Sequence, residues 1–186
     1  MAAQTAEDNV GKNIMLRFKK EVEADSNNIG NLQFEHLGFL FTTKIKVTAG
    51  EIADIKLVAA DGSNWIYNAS DYQLNIEDGN FTPISTATAS NAASFGHKAI
   101  EGDIITVRSW FPKANEEAWP ALKLKINGTT ETTTQKSAGN NPAAGKAYYI
   151  YAKYDGTDLV FSKEGFPEPE AGEGVAEDLF FSEYVE

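Results

Sequence analysis

Apolar and polar residues alternate over many short stretches of this chain, in the pattern of β-strands that have one buried face. Near the start, Ile14, Leu16 and Phe18 alternate with Met15, Arg17 and Lys19, and this predicts a strand within residues 13–22. Residues 34–47 begin as an apolar run and pass into strict alternation, so we expect a strand that is buried first on both faces and then on one. Further strands are predicted at residues 52–58, 65–67, 72–76, 81–88, 103–111, 122–126, 129–136, 148–152 and 159–161.

Turn residues separate these segments. Asn127-Gly128 is the most favourable two-residue hairpin turn, and Asp155-Gly156 supplies the positive φ angles that a tight turn needs between two strands. Asp61-Gly62 and Asp78-Gly79 are further turns. Residues 89–102 are small and polar, and we expect a loop there. Hairpins between neighbouring strands are therefore expected along most of the chain.

The succession of about ten short strands, with no segment of helical period, predicts an all-β fold. The spacing favours a β-sandwich of the immunoglobulin or transthyretin kind over residues 1–163. A closed barrel is the competing architecture. Residues 164–186 differ in composition, and they predict an acidic C-terminal extension made of a linker and a strand-like tail.

The C-terminal extension joins the linker to an apolar end. Residues 164–174 combine proline, glycine and glutamate, and no Lys or Arg occurs from Glu164 onwards. The end is apolar at Leu179, Phe180, Phe181, Tyr184 and Val185. Such a segment pairs with its own sheet, exchanges into the exposed edge of another copy, or stays disordered, and all three outcomes are open.

The chain is acidic and lacks cysteine. Its 186 residues carry 27 acidic and 16 basic side chains, a formal net charge of −11, which argues against nucleic acid or an anionic membrane as a partner. Without cysteine, disulfides and thiolate metal sites are excluded. No apolar run is long enough to span a membrane, and residues 1–7 lack the features of a signal peptide. We therefore expect either a cytoplasmic chain or one whose export signal has been removed.

Catalysis is not expected. His36 and His97 are the only histidines, and a core or turn role is expected for both, because nothing ties either to a metal site or a catalytic triad. Carboxylate pairs fall in predicted turns, loops and the tail, where acidic surface residues are ordinary. No phosphate-binding glycine loop occurs, and no cofactor is predicted.

Aromatic residues suggest an alternative function. On strands they mostly serve the core, but Trp119 falls in a predicted loop that ends at Pro120, where burial is less assured. Trp119 is therefore the candidate for stacking on a sugar ring. A carbohydrate-binding β-sandwich module is the alternative interpretation.

Two segments, from Leu32 to Val47 and from Ala144 to Tyr154, carry a resemblance to a known family that extends over residues 32–162. The first is similar to an early strand and the second to a late strand of the fimbrillin family of Bacteroidales, the outer-membrane-anchored pilins and their relatives. The resemblance implies transthyretin-like sandwiches that polymerise when a strand of one subunit completes the sheet of the next, after export as lipoproteins. This chain departs from the family in having no lipidation cysteine and in being short for a two-domain pilin.

Together these features predict a non-enzymatic structural or adhesive subunit at the cell surface, associated with the outer membrane. The expected partners are other copies or related pilin subunits, and a host protein or glycan is a further candidate. The predicted subunit contacts are the five apolar tail residues, which alternate between the two faces of an extended chain. The matching displaceable edge is the N-terminal strand with Ile14, Leu16 and Phe18.

Overall fold

The computed structural model describes residues 14–22, 30–95, 104–113, 119–136 and 142–166, and the backbone of residues 184–185. Within them the chain forms fourteen strands and one 3-10 turn, Ala69–Asp71, and no α-helix. In chain order the strands are β1 (Leu16–Arg17), β2 (Glu35–His36), β3 (Gly38–Val47), β4 (Ile55–Ala59), β5 (Tyr72–Leu74), β6 (Phe81–Pro83), β7 (Ala92–Ser94), β8 (Ile104–Pro112), β9 (Leu122–Ile126), β10 (Thr130–Glu131), β11 (Gln135–Lys136), β12 (Ala147–Tyr154), β13 (Leu159–Phe161) and β14 (Tyr184–Val185). The predicted all-β fold is confirmed, and its layers are those of a β-sandwich. No helix in this part of the chain is long and apolar enough to cross a membrane.

The first sheet has four strands in the order β13-β12-β3-β8. β3 lies at its centre, and nearly every residue of β3 is buried. Burial on both faces extends further than expected, because Lys44, in the part where one exposed face was predicted, is also buried. β8 pairs with β3 antiparallel over nearly its full length. β12 runs parallel to β3, with Leu40 opposite Ala147 and Val47 opposite Tyr154. Hairpin signals do not predict this pairing, because the two strands come from opposite ends of the chain.

The second sheet has the order β14-β11-β9-β4-β7, and β10 also pairs with β9. β4 and β9 form its centre, where Ile55 lies opposite Ile126 and Leu57 opposite Leu124. Alternate residues of both strands are buried and the residues between them are partly exposed, as in a sheet with one covered face. β5 with β6, and β1 with β2, form two separate two-stranded sheets.

The main core fills the space between the two large sheets. It draws on alternate positions of β3, β4, β8, β9, β12 and β13. Full burial of one Leu or Ile side chain in such a core stabilises the fold by about 1.5–3 kcal/mol. The large apolar side chains with no exposed area are those of Phe41, Ile45, Ile55, Leu57, Leu122, Leu124 and Ile126.

The hairpin turn at Asn127-Gly128 is confirmed. Both residues have positive φ, 52° and 71°, as a type I′ turn requires. Residues 129–136, which follow this turn, were predicted as a single strand, but they form two short strands, β10 and β11, with an interruption that begins at Thr132. The Thr132 N–H donates to the Leu124 carbonyl at 2.9 Å, and the Leu124 N–H donates to the Thr132 hydroxyl at 3.3 Å. This side-chain bond replaces one rung of the ladder.

The turn at Asp155-Gly156 differs from the prediction. Only Gly156 has a positive φ, 94°, and the loop between β12 and β13 contains four residues. The Asp155 side chain accepts hydrogen bonds from the N–H groups of Thr157 and Asp158, at 3.0 and 2.8 Å. These bonds stabilise the wider loop, which the two-residue signal did not reveal.

The expected loop over residues 89–102 is wrong at Ala92–Ser94, which form β7. Ala93 is buried opposite Leu57 of β4. Alanine and serine carry little strand propensity, so the partner strand determines this pairing. The N-terminal strand expected over residues 13–22 is limited to Leu16–Arg17.

Candidate assembly surfaces

An N-terminal ribbon, residues 14–22 and 30–37, lies beside the sandwich and belongs to neither large sheet. Its strands β1 and β2 pair with each other at two positions. One further backbone hydrogen bond runs from the Leu37 N–H to the Met15 carbonyl, at 3.0 Å. The ribbon is therefore held by a much shorter ladder than the central strands of the sandwich.

One side of the ribbon covers a small second core. Leu37, Phe81 and Trp110 are buried there, and Ile14 packs against them together with two residues of β5. Trp110 comes from β8, whose next residue, Phe111, belongs to the main core on the other face of the sheet. The Trp110 indole N–H is buried without a hydrogen-bond partner, which costs free energy. Of the predicted N-terminal contact residues, Ile14 is thus turned towards the protein.

The large apolar side chains of the ribbon that are exposed form what we call the apolar ribbon face. Leu16, Phe18 and Phe34 are 49%, 51% and 58% exposed. The Phe18 and Phe34 rings meet edge to face, with 5.5 Å between their centroids. Exposed apolar side chains that cluster in this way are candidates for a contact surface. The apolar ribbon face consists of Met15, Leu16, Phe18, Val22, Leu32 and Phe34.

Arg17 attaches the ribbon to the turn between β5 and β6. Its Nη2 donates to Glu35 Oε2 at 2.7 Å, and its Nη1 donates to the Ile76 carbonyl at 3.2 Å. Gly79 lies against the guanidinium, since a Cβ there would come within 2.9 Å of both Arg17 Cζ and Leu37 Cδ2. The sequence pattern did not predict that Arg17 attaches the ribbon, because a contact between distant segments leaves no local pattern. Gly79 was predicted only as a turn residue.

The C-terminal strand β14 pairs with the edge of the second sheet. Val185 lies opposite Gln135, and Tyr184 lies opposite Lys136. β11 in turn pairs with β9 at a single position. Both terminal strands of the described chain are therefore attached by two-residue pairings. The remaining predicted tail contacts, Leu179, Phe180 and Phe181, lie outside the described residues.

The chain beyond β13 stays in contact with the sandwich through Phe166. This side chain is buried, and its ring meets Tyr151 of β12 edge to face at 5.5 Å. The Ser162 N–H donates to the Tyr151 carbonyl at 2.8 Å. The packed part of the chain thus reaches a few residues past the boundary predicted after residue 163.

Trp119 is half-buried and packs on the main core. Its ring centroid lies 5.2 Å from those of Phe39 and Phe111 and 4.8 Å from that of Trp65. Contacts with three aromatic rings give this side chain a packing role at the rim of the core. Its role as a glycan contact stays a prediction.

In the described part of the chain, no group of three His, Cys, Asp or Glu side chains could hold a metal ion. His36 is exposed on the ribbon, and His97 lies outside the described residues. The pKa of Asp155 is lowered because the N–H groups of Asp158 and Thr157 donate to its carboxylate. This shift reflects the structure of a surface turn.

No protein-family model and no curated protein matches this sequence. Similar solved structures include three candidate cell adhesion proteins. For the protein from Bacteroides ovatus ATCC 8483 the identity is 15%, the match covers 79% of this chain and 49% of that chain, and the TM-score is 0.45. For the protein from Bacteroides uniformis ATCC 8492 the identity is 13%, the match covers 70% of this chain and 50% of that chain, and the TM-score is 0.40. For the protein from Bacteroides fragilis NCTC 9343 the identity is 12%, the match covers 75% of this chain and 50% of that chain, and the TM-score is 0.44.

This chain therefore spans about half the length of those three structures. At such identities and TM-scores, the likeness carries no argument about function.

Proposed function

We propose that this protein is a structural or adhesive subunit of the cell surface, of the fimbrillin kind and associated with the outer membrane. Its partners are other copies or related subunits, and a terminal strand of one copy pairs with a sheet edge of the next. Cell adhesion is also the role named for the three Bacteroides structures. The physical support comes from the two ends of this chain.

The observation that carries the proposal is the weak attachment of both terminal strands beside a well-packed sandwich. β1 and β14 are each held by a two-residue pairing. The main core, as far as the structure describes it, contains no residue of β1, β2 or β11. Exchange of a terminal strand therefore breaks few backbone hydrogen bonds.

The edge of β11 is a suitable acceptor for an exchanged strand. It pairs antiparallel with β14, and the same backbone groups are offered whether β14 comes from its own chain or from another copy. An exchanged pair regains in the second copy the hydrogen bonds it loses in the first. The apolar ribbon face offers additional surface that a neighbouring copy can cover.

Two single-cysteine proteins test strand exchange, because the natural chain has no cysteine to interfere. One carries Gln135→Cys and the other Val185→Cys, at positions that lie opposite each other in the β11–β14 pair. Opposed residues of an antiparallel pair are close enough for a disulfide. After mixing and oxidation, we expect a covalent heterodimer on a non-reducing gel, in a yield that rises with protein concentration.

The matched control uses Lys153→Cys and Val160→Cys, which lie opposite each other in the β12–β13 hairpin. That hairpin closes within one chain, so a mixture of the two control proteins is expected to give no heterodimer. The double variant Gln135→Cys/Val185→Cys should form covalent ladders, while the double control variant should stay monomeric. If the terminal pair behaves like the hairpin pair at every concentration, strand exchange through β14 is wrong.

A further inference from the structure

A polar pocket of about 270 Å³ opens where the ribbon meets the turn between β5 and β6. The ribbon contributes Arg17, Glu35 and His36, and the sandwich side contributes Asp78 and Lys113. Pockets for drug-sized ligands measure roughly 300–1,000 Å³. This pocket is therefore suited to a smaller molecule, of about one sugar ring.

The acidic groups of the pocket already have partners. Asp78 Oδ1 accepts a hydrogen bond from the Asn80 N–H at 2.9 Å, and Oδ2 accepts one from the Asn75 side chain at 3.1 Å. Glu35 Oε2 is paired with Arg17 at 2.7 Å. Because each carboxylate oxygen has two lone pairs, both residues retain acceptor capacity for hydroxyl groups.

Two of the basic side chains that line the pocket are unmatched within the described residues. The exposed side chains of Lys113 and His36 make no hydrogen bond or ion pair with any part of the chain that the structure describes. Arg17 Nε is buried and also lacks a hydrogen-bond partner. Lys113 is thus a cation without an ion-pair partner in the described part of the chain, and a carboxylate on a ligand is its natural partner.

We infer that this pocket binds an acidic monosaccharide, a hexuronate whose carboxylate contacts Lys113 and His36 and whose hydroxyls donate to Asp78 and Glu35. Leu37 and Ala144 add apolar lining for the C–H face of the ring. A phosphate is a poorer match, since its second negative charge would lie beside two carboxylates. The bound sugar would link the ribbon to the sandwich, and its binding is independent of strand exchange.

Titration of the full-length, ¹⁵N-labelled protein with sodium glucuronate tests this inference by NMR. Thirteen heavy atoms at a typical ligand efficiency give a Kd on the order of 1 mM. We expect saturable shifts at the ribbon, at residues 78–80 and at Lys113, and binding of glucose and of sodium acetate that is at least about tenfold weaker. Absence of saturable shifts with glucuronate would overturn the inference. Equal binding of acetate would also overturn it, because the hydroxyls would then contribute nothing.

A pair of charge variants separates the pocket from the overall surface charge. Lys113→Gln removes the ammonium group proposed to pair with the carboxylate of the ligand. Lys153→Gln removes an exposed lysine of β12 that does not line the pocket. We expect about a tenfold rise in the Kd for glucuronate in Lys113→Gln and no change in Lys153→Gln. If both variants weaken glucuronate binding equally, the affinity depends only on the overall surface charge, and the assignment of the binding site to this pocket is wrong. Spectra of the free variants verify that each is folded.

Discussion

The sandwich and the N-terminal ribbon bury similar apolar residues to very different degrees. Leu57 and Leu124 of the sandwich are 0% exposed, whereas Phe18 and Phe34 of the ribbon are 51% and 58% exposed. A central strand of the sandwich has neighbours on both edges and a second sheet over one face, while each ribbon strand has one partner and covers only a small core. Apolar side chains in strands therefore become part of a core or stay exposed according to whether a second layer covers them.

Truncation of a core side chain should have the largest effect on stability. Leu124 lies fully buried between the sheets, so Leu124→Ala removes apolar contacts and leaves a cavity. We expect the free energy of unfolding to fall by about 2–5 kcal/mol, as measured by urea denaturation. A loss below about 1 kcal/mol would mean that the sandwich core is as loosely packed as the ribbon.

Alanine substitutions at two glycines of nearly equal φ should show how strongly the stability of the protein depends on the attachment of the ribbon. Gly79 and Gly62 have φ of 76° and 75°, so alanine has a similar backbone cost of about 1–2 kcal/mol at both. At Gly62 nothing lies within 4 Å of the added Cβ, whereas at Gly79 the Cβ meets Arg17 and Leu37. We expect Gly79→Ala to cost about 1–3 kcal/mol more than Gly62→Ala.

Chemical denaturation of both glycine variants measures the difference between their free energies of unfolding. Hydrogen exchange shows which part of the protein is destabilised. Amides of the ribbon should exchange faster in Gly79→Ala and at the natural rate in Gly62→Ala. Equal effects of the two substitutions would show that the ribbon does not depend on the contact between Gly79 and Arg17.

The turn between β12 and β13 should give the sandwich a small dependence on pH. Hydrogen bonds from Asp158 and Thr157 lower the pKa of Asp155 below its ordinary value of 3.8. The stability that the charged carboxylate contributes is therefore complete above that value and is lost as the pH falls through the lower, folded-state pKa. Asp155→Asn should remove this part of the acid sensitivity, which thermal unfolding between about pH 5 and 2 measures.

Asp158→Asn is the matched control for the pH experiment, because it removes a carboxylate from the same loop and keeps the N–H that bonds Asp155. It should retain the acid sensitivity attributed to Asp155. Identical pH profiles for the natural protein and Asp155→Asn would show that this turn does not contribute.

Replacement of an exposed ribbon residue should have the smallest effect on stability. Phe34→Ser should change the free energy of unfolding by no more than about 0.5 kcal/mol, since the ring is mostly solvent-exposed. It should nevertheless reduce self-association in light scattering on a sizing column, because it removes part of the apolar ribbon face. The control is Val160→Ser, at a 40% exposed position of β13. Equal self-association of both variants would argue against the ribbon as an assembly surface.

Local signals were sufficient where neighbouring residues determine the structure. The strands β3, β9 and β12 follow their apolar patterns, and Asn127-Gly128 forms the expected turn because both residues tolerate positive φ. β7 had no such signal, since Ala92–Ser94 form a strand only beside β4. The contact of Arg17 with the Ile76 carbonyl was hidden for a similar reason, because it joins two segments that are distant in the chain.

By itself, the sequence determined the fold class and most strand positions, because side-chain alternation and turn chemistry act over a few residues. Only the tertiary structure decided that β12 lies parallel to β3, that Leu124 is buried while Phe34 is exposed, and that Lys113 and Asp78 meet at one pocket. These outcomes depend on contacts between distant segments. Their free energies are set by which layers pack together, and a local pattern does not specify that choice.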